Sequence, residues 1–172
     1  MKVYFSHGKE SGPWGTKITR LAAIAIKQGH QVESIDYTDI PDPDSRVELL
    51  LNVLNQSVDD FALVGSSMGG YVSLVASERV EAKGVFLLAP ALYIPGFEKQ
   101  TYSKRTHVEI VHGWSDEIIP PDNSIKFARS VSCALHLISG DHRLNSSLEV
   151  IEGLFQQFLF FLAPHKIADR TG

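Results

Sequence analysis

Six short apolar segments separated by polar turns dominate the hydrophobic pattern of this sequence. They are rich in β-branched or aromatic residues and are bounded by Gly, Pro, Asp or Ser, which is typical of β-strands. Several are continuously apolar rather than alternating, as expected for strands buried on both faces of a parallel sheet. The predicted strands are residues 3–5, 30–36, 61–65, 84–89, 107–112 and 134–139.

Apolar residues at helical spacing lie between these strands. The stripes are Ile18, Leu21, Ala22 and Ala25; Val47, Leu50, Leu51 and Leu54; and a third within about residues 146–162. A further helix is expected directly after the third strand, and Asp44 or Ser45 suits the start of the second stripe. Alternating strands and helices predict a doubly wound α/β sheet with helices on both faces, and we expect residues 1–172 to form a single domain.

Polar, glycine-containing loops follow four of the predicted strands. In chain order they read SHGKESG, GSSMGG, GWSDEIIP and GDHRL. Because the carboxyl ends of parallel strands meet at one edge of a sheet, and ligands bind there in open α/β sheets, these loops should converge. This edge is where the sequence predicts a functional site.

The loop GSSMGG has the pattern of a nucleophile elbow, G-x-S-x-G, centred on Ser67. The elbow places a serine on a strained strand-to-helix turn, so the residues two before and two after it must lack bulk. Gly65 and Gly69 meet this requirement around Ser67. Centring the motif on Ser66 would require glycines where Val64 and Met68 stand, so Ser66 is excluded as the elbow serine.

A serine hydroxyl needs a base to accept its proton and an acid to orient that base. His142 is the predicted base and Asp116 the predicted acid, since both follow later strands in the order Ser, Asp, His. Glu117 remains an alternative acid. Asp141 is adjacent to His142, which makes a ring-to-carboxylate hydrogen bond awkward, so a loop-stabilising role suits it better. The other histidines for which structural or solvated roles are expected are His30, His107, His136 and His165.

Two backbone amides are candidates for an oxyanion hole. Acyl transfer needs preorganised N–H donors, one from the residue after the nucleophile and one from a loop after an early strand. Met68 and Lys9 occupy these positions. Alone, the HGKESG loop would be interpreted as a glycine turn, and the elbow downstream favours the functional interpretation.

Taken together, the four loops resemble those of the α/β-hydrolase superfamily, and more narrowly its small bacterial esterase-like members of the YqiA/YcfP type. The resemblance covers about residues 2–162. It implies a minimal fold of about six parallel strands, a Ser67–Asp116–His142 triad and Lys9 and Met68 as oxyanion donors, with no cofactor. The first two strands of larger members are absent, and residues 90–106 are too few for a cap domain, so the pocket should be shallow and open.

The expected function is hydrolysis of a small carboxylic ester or thioester through an acyl-enzyme. Ester, thioester and amide chemistry share this machinery, so the motifs do not separate them. A non-catalytic binding or scaffold protein that retains the fold is the alternative. The candidates for substrate-pocket residues are His7, Trp14, Tyr93 and Trp114.

Charge and composition restrict the possible partners. The formal net charge of the 172 residues is −4, which argues against nucleic acid, whose affinity comes from clustered Lys and Arg. No apolar segment is long enough for a membrane span or an export signal, and the single Cys133 cannot form an intramolecular disulfide, so a cytoplasmic location is expected. The histidines lack HxH or HxxxH spacing, so no metal site is predicted.

Overall fold

A six-stranded, fully parallel sheet forms the centre of the protein. Its strands are β1 (Lys2–Ser6), β2 (Gln31–Ile35), β3 (Phe61–Ser66), β4 (Gly84–Leu88), β5 (His107–Gly113) and β6 (Ala134–Ile138). They lie in the order β2-β1-β3-β4-β5-β6. Every predicted strand is present, and β3, which carries the elbow, is an inner strand buried along its whole length.

Within the described part of the chain, four α-helices connect the strands, and a short 3₁₀ turn and a fifth α-helix follow the last strand. They are α1 (Thr16–Lys27), α2 (Pro43–Leu54), α3 (Met68–Ser77), α4 (Pro121–Val131), the turn Asn145–Ser147 and α5 (Leu148–Leu162). The computed structural model describes residues 1–163, so His165 lies outside the described residues. No helix of this described part is both long and apolar enough to span a membrane.

The helices cover both faces of the sheet and produce two hydrophobic cores. The predicted stripe of α1 packs with α5 on one face, and the stripe of α2 packs with α3 on the other. α2 begins at Asp42, whose side chain accepts a hydrogen bond from the Ser45 amide at 2.7 Å, with Pro43 at the first helical position. The cap is therefore Asp42, rather than Asp44 or Ser45.

α4 was not predicted from its apolar pattern. It buries only Ser124, Phe127 and Ala128, so its apolar stripe is too narrow to be recognised in the sequence. Residues 89–106, between β4 and β5, form neither helix nor strand. The absence of a cap domain was therefore correctly predicted.

Candidate active site

Ser67 lies at the turn between β3 and α3 in a backbone conformation that few residues adopt. Its φ is 54° and its ψ is −119°, which costs on the order of 1–3 kcal/mol for a residue with a side chain. β4 and the loop after it hold this backbone conformation. The Ser67 amide donates to the Leu88 carbonyl at the end of β4, and the Ser67 carbonyl accepts from the Ala91 amide, each at 2.9 Å. The strain therefore persists because neighbouring backbone fixes it.

The two flanking glycines are required by the tightness of the turn. A Cβ atom on Gly65 would lie 2.2 Å from the Gly69 carbonyl oxygen, and one on Gly69 would lie 2.0 Å from the Ser6 carbonyl oxygen. Real Cβ atoms do not approach backbone this closely. Gly70 also packs closely, because a Cβ there would lie 2.7 Å from Pro90. The spacing in the sequence therefore reflects a real steric requirement.

The structure brings Ser67, His142 and Asp116 into one hydrogen-bonded series. His142 Nε2 lies 2.9 Å from Ser67 Oγ, and His142 Nδ1 lies 2.7 Å from Asp116 Oδ2. Because the carboxylate can only accept, Nδ1 carries the proton and Nε2 is free to accept from the serine hydroxyl. Among the described residues, Ser66 makes no hydrogen bond to this histidine.

Asp116 is buried and is held by several donors. Its Oδ1 accepts hydrogen bonds from the amides of Ile118 (2.9 Å) and Ile119 (2.8 Å). Burial alone would raise the pKa of Asp116, but the hydrogen bonds from His142 and these two amides outweigh it and hold the pKa below its ordinary value. The carboxylate therefore stays ionised beside the imidazole.

The alternative acids lie in other environments. Glu117 is exposed and, among the described residues, forms no hydrogen bond or ion pair with His142. Asp141 accepts hydrogen bonds from the amides of Arg143 and Leu144, each at 3.0 Å, and so stabilises the loop, as the sequence indicated.

His112, which the sequence analysis did not associate with the triad, lies directly behind Asp116. Its Nε2 is 3.0 Å from both Asp116 Oδ2 and the Ile119 carbonyl oxygen, and its Nδ1 is 2.7 Å from Ser124 Oγ. Both partners of Nε2 are acceptors, so Nε2 carries the proton and the Ser124 hydroxyl donates to Nδ1. Burial lowers the pKa of His112, which keeps the ring neutral. The one feature of the sequence that could have linked His112 to Asp116 was its position in β5, four residues earlier.

The two predicted oxyanion donors both line the cleft above Ser67. Within residues 1–163, neither the Met68 amide nor the Lys9 amide donates to another protein group. The loop after β1 passes close to Ser67, since a Cβ on Gly8 would lie 3.4 Å from Ser67 Cβ. Both amides are thus available to a bound carbonyl oxygen.

Buried polar groups fix the loop after β1, and His7 is one of them rather than a pocket residue. Its Nδ1 donates to the Gly8 carbonyl at 2.7 Å, and its Nε2 accepts from the Tyr37 amide at 2.9 Å. The ring is fully buried, and burial lowers its pKa. Arg46, also buried, donates to the carbonyls of Ile40 (2.6 Å) and Gly8 (3.3 Å). No pattern in the sequence indicated a buried role for Arg46.

A cleft of about 650 Å³ opens over Ser67. The remaining pocket candidates, Trp14, Tyr93 and Trp114, do not line it. The two tryptophans are more than half exposed, and Tyr93 packs against Tyr102 within the 89–106 loop. The side chains that do line it include Lys9, Lys17, Ile94, Phe97, Ile118 and Arg143. Over residues 1–163, no group of three or more His, Cys, Asp or Glu residues is arranged to hold a metal ion.

The fold and the arrangement of Ser, His and Asp define a member of the α/β-hydrolase superfamily, and solved structures agree. A protein from Xanthomonas campestris pv. campestris, described within the alpha/beta superfamily of hydrolases, matches with a TM-score of 0.87 at 29% identity, over 93% of this chain and 98% of that one. Est1E from Butyrivibrio proteoclasticus matches with a TM-score of 0.80 at 21% identity, over 94% of this chain and 87% of that one.

The family itself follows from the sequence. The chain belongs to the family described as "Uncharacterised protein family (UPF0227)", whose model matches residues 1–96. No curated protein matches the chain. Alpha/beta hydrolase domain-containing protein 10 from mouse shares the fold, with a TM-score of 0.77 at 17% identity over 94% of this chain and 90% of that one. The expected α/β-hydrolase superfamily and fold are thereby confirmed.

Proposed function

We propose that this protein is a serine hydrolase that cleaves carboxylic esters or thioesters through an acyl-enzyme on Ser67. The observation that carries the proposal is the continuous hydrogen bonding from Ser67 Oγ through His142 to Asp116 Oδ2, at 2.9 and 2.7 Å. Such distances lie within the range needed for proton transfer between a nucleophile and its base.

In the proposed reaction, Ser67 Oγ attacks the carbonyl carbon while its proton passes to His142 Nε2. The negative charge that develops on the carbonyl oxygen is accepted by the amides of Lys9 and Met68. His142, held by the ionised Asp116, then protonates the leaving alcohol or thiol as the carbonyl re-forms. Water enters by the same route and releases the acid, returning the proton to the serine.

The conformation of Ser67 supports a catalytic role for this serine. A non-glycine residue at φ 54° is costly, and such strain is found chiefly where function requires it. The unpartnered amide of Met68 supports it further, because Met68 is buried and a purely structural turn would gain from satisfying that amide. The open cleft fits a small acyl substrate with room for its leaving group.

A fluorophosphonate probe tests the proposal directly. We expect the folded protein to form one covalent adduct, located on Ser67 by mass spectrometry, and expect Ser66→Ala to label like the wild type. Ser67→Ala should not label and should lose about 10⁴-fold or more in kcat on any ester or thioester that the wild type cleaves. Folded wild-type protein that resists the probe, or an adduct on another residue, would contradict the mechanism.

A panel of esters and thioesters of increasing acyl length completes the test. If wild type and Ser67→Ala bind a ligand equally and neither cleaves any member of the panel, the protein is a non-catalytic binding protein instead.

A further inference from the structure

We propose that the substrate of this site carries an anionic group, a carboxylate or a phosphate, which binds beside Lys17 and Arg143 while an apolar group occupies the opposite wall of the cleft. The inference rests on the proposed function, and it concerns which esters or thioesters the site selects.

The wall of the cleft is divided into two chemically different parts. Ile94 and Phe97 follow β4 and Ile118 follows β5, and Phe97 packs on Tyr71 of α3, with ring centroids 4.8 Å apart. This part, the apolar wall, therefore adjoins the face of the sheet that α2 and α3 cover.

The other part, the basic wall, consists of Lys9, Lys17 and Arg143. Lys9 follows β1, Lys17 is in the first turn of α1, and Arg143 follows β6 directly after His142. The loop after β6 folds back to α1, since Lys17 Nζ donates to the Arg143 carbonyl at 2.7 Å. Residues that are far apart in the sequence thus put three cations into the lining of one cleft, with Lys17 and Arg143 adjacent.

Carboxylates do not pair with these three cations, a feature that they share with six other described basic residues: Lys27, Arg46, Lys104, Arg105, Lys126 and Arg129. Five basic residues elsewhere pair with an acid within 4 Å: Lys2, Arg20, Arg79, Lys83 and Lys99. Among the described residues, none of the three in the basic wall has such a pair. The chain has a net charge of −4, so acidic residues are not scarce.

The cleft lining carries more positive than negative charge, since Glu10 is its single carboxylate against three cations. Asp141 and Asp116 attract the Lys17 ammonium through space, but among the described residues neither pairs with it within 4 Å, and their oxygens accept hydrogen bonds from backbone amides or histidines. The Lys17 ammonium donates to one carbonyl, which leaves two of its three N–H groups for a ligand. An anion placed there gains charge-assisted hydrogen bonds that no protein group supplies.

Two matched pairs of substrates test whether the anionic group lies on the acyl side or on the leaving group. The first compares the 4-nitrophenyl esters of pentanoic acid and glutaric acid, which differ by a carboxylate on the acyl side. The second compares the butyryl thioesters of pantetheine and 4′-phosphopantetheine, which differ by a phosphate on the leaving group. We expect the anionic member of at least one pair to be preferred in kcat/KM, and the pair that shows the preference identifies the source of the charge.

Substitution then assigns the preference to residues. Lys17→Gln and Arg143→Gln should each reduce the anionic-to-neutral ratio about three- to fivefold, as expected of a partly exposed ion pair. Lys27→Gln, which removes a charge at the far end of the same helix, should leave the ratio unchanged. Raising the salt concentration to 0.5 M should reduce the wild-type ratio, a measurement that needs no variant.

A wild-type ratio at or below one for both pairs, or a preference that neither salt nor the two variants reduce, overturns the inference. Fluorophosphonate labelling of Ser67 separates this failure from failure of the proposed function. Protein that labels and cleaves neutral probes, but shows no preference for anions, retains the triad mechanism and refutes only the anionic substrate. Protein that neither labels nor cleaves any probe refutes both.

Discussion

The sharpest prediction concerns His112, which we expect to support the triad from behind. Replacing it with leucine removes the N–H donated to Asp116 Oδ2 and leaves the fully buried Ser124 hydroxyl without its partner. A hydrogen bond to a charged group contributes about 1.5–3 kcal/mol, and a buried unsatisfied group costs about 1–3 kcal/mol. We therefore expect His112→Leu to lower the free energy of unfolding by about 3–5 kcal/mol, which is a large part of the stability of a typical domain.

His112→Gln is the matched control. The side-chain amide can donate towards the positions that Nε2 reaches, Asp116 Oδ2 and the Ile119 carbonyl, and its oxygen can accept from Ser124. The glutamine variant should retain most of the stability that leucine loses. Among molecules that remain folded, we expect leucine to slow fluorophosphonate labelling of Ser67 about tenfold, because the carboxylate that orients His142 loses a fixed partner.

Urea unfolding and labelling kinetics measure the two effects separately. If leucine leaves both the unfolding free energy and the labelling rate within experimental error of the wild type, His112 has no positioning role. If glutamine loses as much as leucine in both measurements, the shape of the ring matters and its hydrogen bonds do not.

The remaining predictions concern the elbow and the response to acid. Gly69→Ala should abolish labelling of Ser67 and destabilise the fold by several kcal/mol, because its Cβ would lie 2.0 Å from the Ser6 carbonyl oxygen; a well-folded, fully labelled variant would contradict the steric argument. Stability should also fall as the pH drops below about 6.5, because burial lowers the pKa values of His7 and His112, so the unfolded chain takes up protons that the folded protein excludes. Each histidine lowers the free energy of unfolding by at most about 1.4 kcal/mol per pH unit. Urea titrations at pH 7.5 and 5.5 should show this loss of stability, and the loss should be smaller in His112→Gln.

Local patterns in the sequence predicted the sheet and the elbow. Apolar runs mark buried parallel strands, and the spacing of Gly65 and Gly69 around Ser67 follows from the steric limits of one turn. The position of Asp116 and His142 after later strands predicted that both would lie near Ser67, because the topology brings the strand ends together. Each of these inferences depends on residues that are close in the chain or on a general property of the fold.

The parts that were missed depend on pairings between distant segments. His112 of β5 pairs with Ser124 of α4, a helix that its narrow apolar stripe did not reveal in the sequence. Arg46 reaches the Gly8 carbonyl, 38 residues earlier in the chain. The sequence alone does not distinguish a polar side chain that is buried with a hydrogen-bond partner from one that is exposed to solvent. Loop aromatics such as Trp14 and Trp114 were assigned to the pocket by their position, but nothing in the sequence gives the direction in which a loop side chain points.

The short connection formed by residues 89–106 also has a kinetic consequence. Many hydrolases with a cap must move it before substrate enters and again before product leaves, and such motions often limit turnover. Here the described residues form no element over the cleft that has to open. Entry and exit should therefore be diffusive. In the proposed mechanism, turnover should then depend on the chemical steps at Ser67, and an acyl group attached to a bulky or polymeric carrier should reach the site as readily as one on a small alcohol.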